Sequence, residues 1–172
     1  MIHNFELKQG SQWFEIDIAI VAPHAIYVVD TKGTMGTIHV ATGKWHPEGR
    51  APYNSPLPKL RQHARILKGL IEGVPPNPDR HKLWVEAVVI LTAPGAFLND
   101  PQGKDRESVV ALQGCEKYFT DQKRLATPFT PASTAPHLGS ILPMITGGAR
   151  PVKGLPLLQS WQCVERLTST DV

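Results

Sequence analysis

Residues 15–33 read EIDIAIVAPHAIYVVDTKG, and they decide the fold. Two runs rich in Ile, Val and Tyr flank Pro23-His24, and each run has the length of a β-strand. Because Pro23-His24 breaks the pattern between them, the stretch predicts an antiparallel hairpin. An even-numbered loop centred on this pair sets Asp17 directly opposite Asp30.

The charged side chains of this hairpin cluster at its open end. In the same register Glu15 faces Lys32, and strand alternation puts both on one face with Asp17 and Asp30. The opposite face is predicted to carry the following apolar side chains: Ile16, Ile18, Ile20, Tyr27 and Val29. Opposed carboxylates with Cβ atoms roughly 4.5–5.5 Å apart repel each other and favour a cation between them. A solvated polar face with a weak surface ion pair is the alternative interpretation.

Paired carboxylates beside a lysine indicate one chemistry in particular. Mg²⁺ prefers hard oxygen ligands, keeps several waters and bridges to substrate phosphates, and Mn²⁺ accepts the same ligands. Lys32 would lie beside such an ion, where it could hold the attacking water or neutralise charge on the scissile phosphate. The pattern therefore indicates phosphodiester hydrolysis. Paired Cys/His zinc spacings, a Gly-x-Ser-x-Gly elbow and a phosphate-binding P-loop are absent from the sequence.

Length and charge limit the classes of protein to which this chain can belong. The 172 residues suit one α/β domain, and 18 Lys+Arg against 15 Asp+Glu permit a polyanionic partner without requiring one. The N-terminus lacks a signal segment, and no apolar run approaches the ~20 residues of a membrane span. We therefore expect a cytoplasmic protein with no membrane association. Cys115 and Cys163 are isolated and are expected to be buried or indifferent thiols.

The rest of the chain gives further elements. We expect strands at about Asn4–Lys8, at Thr37–Val40 as a third antiparallel strand, at Leu83–Thr92 as a buried strand, and at Val109–Ala111. Apolar spacing predicts an amphipathic helix over Leu57–Ile71 that crosses over to the buried strand. Its polar face is a phosphate-binding or a merely solvated surface, formed by Lys59, Arg61, Gln62, Arg65 and Lys68. Trp45 is expected in the core.

The C-terminal part is rich in proline. We expect a core over residues 1–126 and a Pro-rich extension or linker to a following domain over residues 127–172. Within the extension, a short helix at His137–Ile145 and a strand at Ser160–Leu167 are predicted. The chain also ends as though a further domain should follow.

Several motifs together resemble a known family. Asp17, followed after twelve residues by Asp30-Thr31-Lys32, resembles the core of the PD-(D/E)xK nucleases. Over about residues 10–92 the chain is similar to the nuclease-related domain, NERD. The matching motifs are EIDIAIV at 15–21, IYVVDTK at 26–32, GTI at 36–38, Trp45, Asn54-Ser55-Pro56 and Gln62. The resemblance implies a restriction-endonuclease-like α/β (α+β) fold, with a mixed central sheet flanked by helices and the site on its antiparallel hairpin.

The same resemblance assigns roles to residues. It implies that Asp17 and Asp30 bind the metal, with the Thr31 carbonyl as a further contact. It also implies that Lys32 is the catalytic lysine and that Gln62 is the polar residue of the following helix. Two positions depart from the family: Ile16 replaces the superfamily's proline, and Asp30 stands where most NERD domains have Glu. The family pattern also has an upstream helix with a Glu, so we expect an excised domain.

Two functions follow from the site and the resemblance. The first is a Mg²⁺- or Mn²⁺-dependent DNA endonuclease domain, within a larger defence or DNA-processing protein that carries a kinase or another adjacent domain. The second is a catalytically degenerate module that binds nucleic acid or makes regulatory contacts. A globular domain unrelated to nucleic acid is the third interpretation.

Overall fold

The structure is a computed structural model that describes residues 1–73, 83–121, 134 and 149–151. Its strands are β1 (Ile2–Gln9), β2 (Gln12–Val21), β3 (Ile26–Lys32), β4 (Thr37–Ala41), β5 (Lys44–Pro47), β6 (Tyr53–Asn54), β7 (Val85–Leu91), β8 (Phe97–Asn99), β9 (Val109–Ala111) and β10 (Ala149–Pro151). Its helices are α1 (Leu57–Glu72) and α2 (Cys115–Thr120), with 3₁₀ turns at Arg106–Ser108 and Leu112–Gly114. The mixed α/β class predicted from the sequence is confirmed.

A six-stranded mixed sheet in the order β10-β1-β2-β3-β7-β9 forms the centre of the fold. β2 and β3 make the predicted hairpin, with antiparallel pairs from Ile18–Val29 to Val21–Ile26. This is the register that the even-numbered loop predicts. The chain then returns through α1 to β7, which pairs parallel with β3 along the whole length of both strands. The predicted crossover is therefore confirmed.

A second, four-stranded sheet has the order β6-β5-β4-β8. It contains β4, which we expected as the third antiparallel strand after the hairpin. The predicted strand exists, and it does not pair with the hairpin, because β7 pairs with the free side of β3. β4 instead pairs antiparallel with β5 and parallel with β8.

Helix α1 forms where the apolar spacing predicts it. The buried stripe of the helix consists of Leu57, Leu60, His63, Ala64, Leu67 and Ile71. This stripe packs on β7 and β3, and Gly73 ends the helix. Within the described residues, no helix combines the length and apolar character that a membrane crossing requires.

The central sheet has a hydrophobic cluster on each side. The larger cluster joins α1 to the sheet through residues such as Ala19, Val28 and Val89. The smaller cluster is built around Tyr27 and Val29, and the aromatic rings of α2 cover it. The middle strands are thus buried on both faces, as their apolar composition predicts.

Strand alternation breaks beside Asp17. Ile16 belongs to the larger cluster together with Ala19, whereas Ile18 and Ile20 pack against the smaller one. Our placement of Ile16 on the same face as Ile18 is therefore wrong. The reason lies on the neighbouring strand, where Asn4 has φ of 54° and the ladder skips from the His3–Ile18 pair to the Phe5–Ile16 pair. A left-handed residue interrupts the two-residue alternation, so the faces change there.

A buried carboxylate links the second sheet to the start of α1. Asp105 is 6% exposed, and its Oδ2 accepts hydrogen bonds from Trp45 Nε1 at 2.9 Å and from Ser55 Oγ at 2.8 Å. The Ser55 hydroxyl oxygen also accepts the backbone N–H of Leu57, the first residue of α1, at 3.3 Å. Trp45 is fully buried, which confirms its expected core position. This network fixes where α1 begins.

The described parts of the predicted extension contact the core. Thr134 donates from its backbone N–H to the Pro23 carbonyl at 2.9 Å and from Oγ1 to the Ala22 carbonyl at 2.7 Å. β10 adds to the outer edge of β1. The boundary at residue 126 stays a prediction. The predicted helix 137–145, strand 160–167 and Cys163 lie outside the described residues.

Candidate active site

The charged end of the hairpin lines a cavity of about 300 Å³. Glu15 and Asp17 reach it from β2, and Asp30 and Lys32 reach it from β3. The hairpin ladder ends at Ile18–Val29, so Asp17 and Asp30 lie immediately beyond its last pair. The structure thus brings together the two carboxylates and the lysine that the sequence pattern selected.

Asp30 and Lys32 form an ion pair on β3. Lys32 Nζ lies 2.7 Å from Asp30 Oδ2 and donates to Oδ1 at 2.9 Å. The side chains are two residues apart and point to the same face, as alternation requires. Since Asp30 is only 16% exposed and Lys32 32%, water screens this pair weakly. Asp30 therefore holds the lysine ammonium at the cavity.

Asp17 lies in a repulsive field. Its pKa is raised above the ordinary value, first by partial burial and then by the Asp30 and Glu15 carboxylates. Lys32 and Lys59 act in the opposite direction but do not cancel this effect. Although Asp17 as a whole is exposed, the cavity walls exclude part of the water around its carboxyl. A cation beside Asp17 would relieve both penalties.

Helix α1 forms the other wall of the cavity. Lys59, Leu60 and His63 line it from the first two turns of the helix, beside Asn54 and Pro56 from the preceding segment. His63 is 7% exposed, and its ring packs edge-on against Phe14 with 5.7 Å between centroids. Burial and the Lys59 ammonium lower the pKa of His63, against the raising effect of the Glu15 backbone and carboxylate. His63 therefore faces the carboxylates as a neutral ring at neutral pH.

Two other predicted site residues lie apart from this cavity. Gln62 is exposed on α1 and does not line it. The side chain of Thr31 is also exposed, as expected for a residue whose predicted contact is its backbone carbonyl. Sequence reasoning did not select His63, and it named Lys59 only as part of the polar face of α1, not as a residue of this cavity. The available signal for His63 was its spacing of three residues from Leu60, which places it on the buried stripe of α1.

The donor set fits Mg²⁺ better than a metal that needs a full protein cage. Among the described residues, no group of three or more His, Cys, Asp or Glu side chains has an arrangement that could hold a metal ion. Mg²⁺ commonly binds through one or two carboxylates and completes its shell with water and substrate phosphate. Asp17 and Asp30 supply two such carboxylates at one cavity, with Glu15 beside them.

The comparison with protein families agrees with this geometry. The family model described as nuclease-related domain, NERD, matches residues 1–92, which is more than half of the chain. The chain belongs to the NERD family. The match includes the hairpin, α1 and β7, so it covers both walls of the NERD cavity. It ends before Asp105, β9 and α2, which the fold nevertheless joins to it. No curated protein and no solved structure matches the chain.

Proposed function

We propose that this NERD domain is a metal-dependent nuclease that hydrolyses phosphodiester bonds in DNA. The observation that carries the proposal is the convergence of Asp17, Asp30 and Lys32 on one open cavity. A net charge of +3 is compatible with a polyanionic substrate. The family resemblance alone supports the wider context, which is a defence or DNA-processing protein with an adjacent kinase or other domain.

Each residue has a task in this proposal. Asp17 and Asp30 would hold Mg²⁺ or Mn²⁺ with the Thr31 carbonyl, and the bound ion would supply Lewis-acid stabilisation of the scissile phosphate and an activated water. Asp30 also holds the Lys32 ammonium at 2.7 Å, which fixes a positive charge at the cavity. Lys32 would orient the attacking water or neutralise charge that develops on the phosphate. Gln62 would reach substrate outside the cavity, from the exposed face of α1.

One observation favours a second function. The Lys32 ammonium already neutralises Asp30, so this carboxylate has a cation partner within the protein itself. Such an ion pair suits a site that keeps the fold but binds nucleic acid without cleaving it. The two functions differ in divalent-metal binding.

Metal binding and plasmid nicking on the same samples separate these functions. Calorimetry with Mg²⁺ and Mn²⁺ should show binding to the wild type and none to Asp17→Asn or Asp30→Ala, because each variant loses a carboxylate ligand. Lys32→Ala should bind metal nearly as well as the wild type. All three variants should lose nicking, with a fall of at least ~10²-fold for Lys32→Ala.

Matched charge changes on α2 serve as controls. Glu116→Gln and Lys117→Ala alter exposed side chains away from the cavity and should leave metal binding and nicking unchanged. Lys32→Ala protein that nicks as fast as the wild type would remove the proposed role of Lys32. Wild-type protein that binds DNA but neither metal would establish the second function instead.

A further inference from the structure

The two walls of the cavity differ in charge. The strand wall carries the carboxylates of Glu15, Asp17 and Asp30, and its lysine, Lys32, is bound to Asp30. The helix wall carries Lys59 and no carboxylate. A phosphate that enters this cavity is repelled by the strand wall wherever no cation covers the carboxylates. The helix wall is the side that attracts it.

Lys59 is available to bind an anion. Among the residues that the structure describes, no carboxylate lies within 4.0 Å of its ammonium, and its side chain is exposed. Lys59 nevertheless lines the cavity opposite the carboxylates of the strand wall, so its charge acts inside the site. The Lys59 ammonium therefore lies at the site and is available to bind an anionic ligand.

The surrounding backbone favours an anion at the same place. Lys59 lies in the first turn of α1, which contains no acidic residue, and Pro56 at the start of the helix lines the cavity as well. The positive end of the helix dipole therefore adds to the lysine charge. Asn54, which also lines the cavity, brings an amide that can donate a hydrogen bond.

We propose that Lys59, assisted by Asn54, is a phosphodiester-binding site on the helix wall that holds the DNA backbone opposite the carboxylates. This site is separate from Lys32, whose ammonium Asp30 retains. The inference rests on the proposed function, because it names where the DNA backbone of that reaction binds. Lys59 acts here in substrate binding, and Lys32 acts at the scissile phosphate.

DNA binding without cleavage tests the site directly. We would measure the affinity of a fluorescein-labelled duplex by anisotropy in EDTA, across a salt series. Lys59→Ala should weaken binding about five- to tenfold and reduce the slope of log affinity against log salt by about one, because one phosphate contact is lost. Lys59→Arg should keep the affinity and slope of the wild type. Lys59 is exposed, so unchanged thermal midpoints should show that each variant is folded.

Two controls and a kinetic measurement complete the design. Lys68→Ala removes an equal charge from the same helix, where Lys68 lies 3.8 Å from Glu72, and should change affinity less than twofold. Lys117→Ala should behave likewise. In nicking assays, Lys59→Ala should raise KM several-fold and leave kcat within about threefold, unlike Lys32→Ala.

The outcomes separate this inference from the nuclease proposal. Lys59→Ala protein with wild-type affinity and salt slope overturns the Lys59 site, and wild-type protein that binds no duplex at low salt overturns it too. A wild type that binds duplex through Lys59 but never nicks it with Mg²⁺ or Mn²⁺ overturns only the nuclease activity.

Discussion

At the scale of single residues, the Asp17 carboxyl destabilises the folded state when it is ionised. Its pKa is raised by partial burial and by the Asp30 and Glu15 carboxylates, so the folded protein binds a proton there more tightly than the unfolded chain does. The stability that this group contributes is therefore fully present below its ordinary pKa of 3.8. It is lost as the pH rises through the raised value.

We accordingly expect Asp17→Asn to raise the thermal midpoint at neutral pH in EDTA, because the amide keeps the shape and removes the repelled charge. The gain over the wild type should shrink as the pH falls and should vanish below about pH 4, where the carboxyl is protonated in both states. Circular dichroism melts from about pH 3 to about pH 8 measure this. A lower thermal midpoint for Asp17→Asn than for the wild type at pH 7 would contradict the proposed repulsion of the ionised Asp17 by its neighbouring carboxylates.

At the scale of elements, the position of α1 determines what the cavity contains. The helix begins where Ser55 accepts the Leu57 N–H, and Asp105 holds Ser55 and Trp45 through one oxygen. Asp105 is itself fixed, since its backbone N–H donates to Asp100 Oδ2 at 2.7 Å. A shift of this network would move the helix wall relative to the strand wall.

We expect Asp105→Ala to lower the free energy of unfolding by about 2–4 kcal/mol, because two buried donors lose their acceptor. Asp105→Asn keeps one carbonyl acceptor and should cost less. Urea denaturation measures both. Glu107→Ala, which truncates an exposed side chain two residues away, should change stability by less than ~0.5 kcal/mol. Equal stabilities for Asp105→Ala and Glu107→Ala would mean that the network does not hold α1.

At the scale of the whole molecule, the folded unit extends beyond the region that matches the NERD family. β9 pairs with β7, and Phe119 of α2 packs edge-on against Tyr27 with 4.9 Å between ring centroids. Residues 93–121 thus cover the smaller hydrophobic cluster and supply Asp105. The matched region alone leaves that cluster exposed to water.

A fragment of residues 1–92 should therefore lack a cooperative thermal transition and should bind a hydrophobic dye, whereas the full chain should melt cooperatively without binding it. Calorimetry and dye fluorescence measure this. A fragment that melts cooperatively at the midpoint of the full chain would show that residues 93–121 add nothing to the core.

Much of this architecture was predictable where local patterns are strong. The even number of residues in the loop at Pro23-His24 determined the hairpin register. Apolar spacing determined α1, and a mostly apolar run determined β7. The strand pairing of the second sheet was not predictable, because its strands are short and packing between distant parts of the chain decides which strands pair. The face change beside Asp17 depends on the left-handed Asn4 of a neighbouring strand, which no local signal in β2 reveals.

The candidate site divides in the same way. Asp17, Asp30 and Lys32 lie on one hairpin, so the even-numbered loop and the two-residue alternation of β3 were enough to place them together. Lys59 and His63 reach the cavity from a helix. Helical spacing gives their positions around the helix relative to its apolar stripe, but it does not give where the helix packs on the hairpin. That information is in the packing of α1 on β3 and β7.

Within the part of the chain that the structure describes, the central sheet ends on both sides in strands of only three residues, β10 and β9. Short edges offer few unpaired N–H and C=O groups to a second molecule, which is one way that proteins avoid strand-to-strand aggregation. β10 pairs with Phe5–Leu7, the middle of the eight-residue strand β1, whose outer edge would otherwise be a template for such pairing. Removal of residues 149–151 would therefore cost the protein colloidal stability, even where its cavity and its helix remained intact.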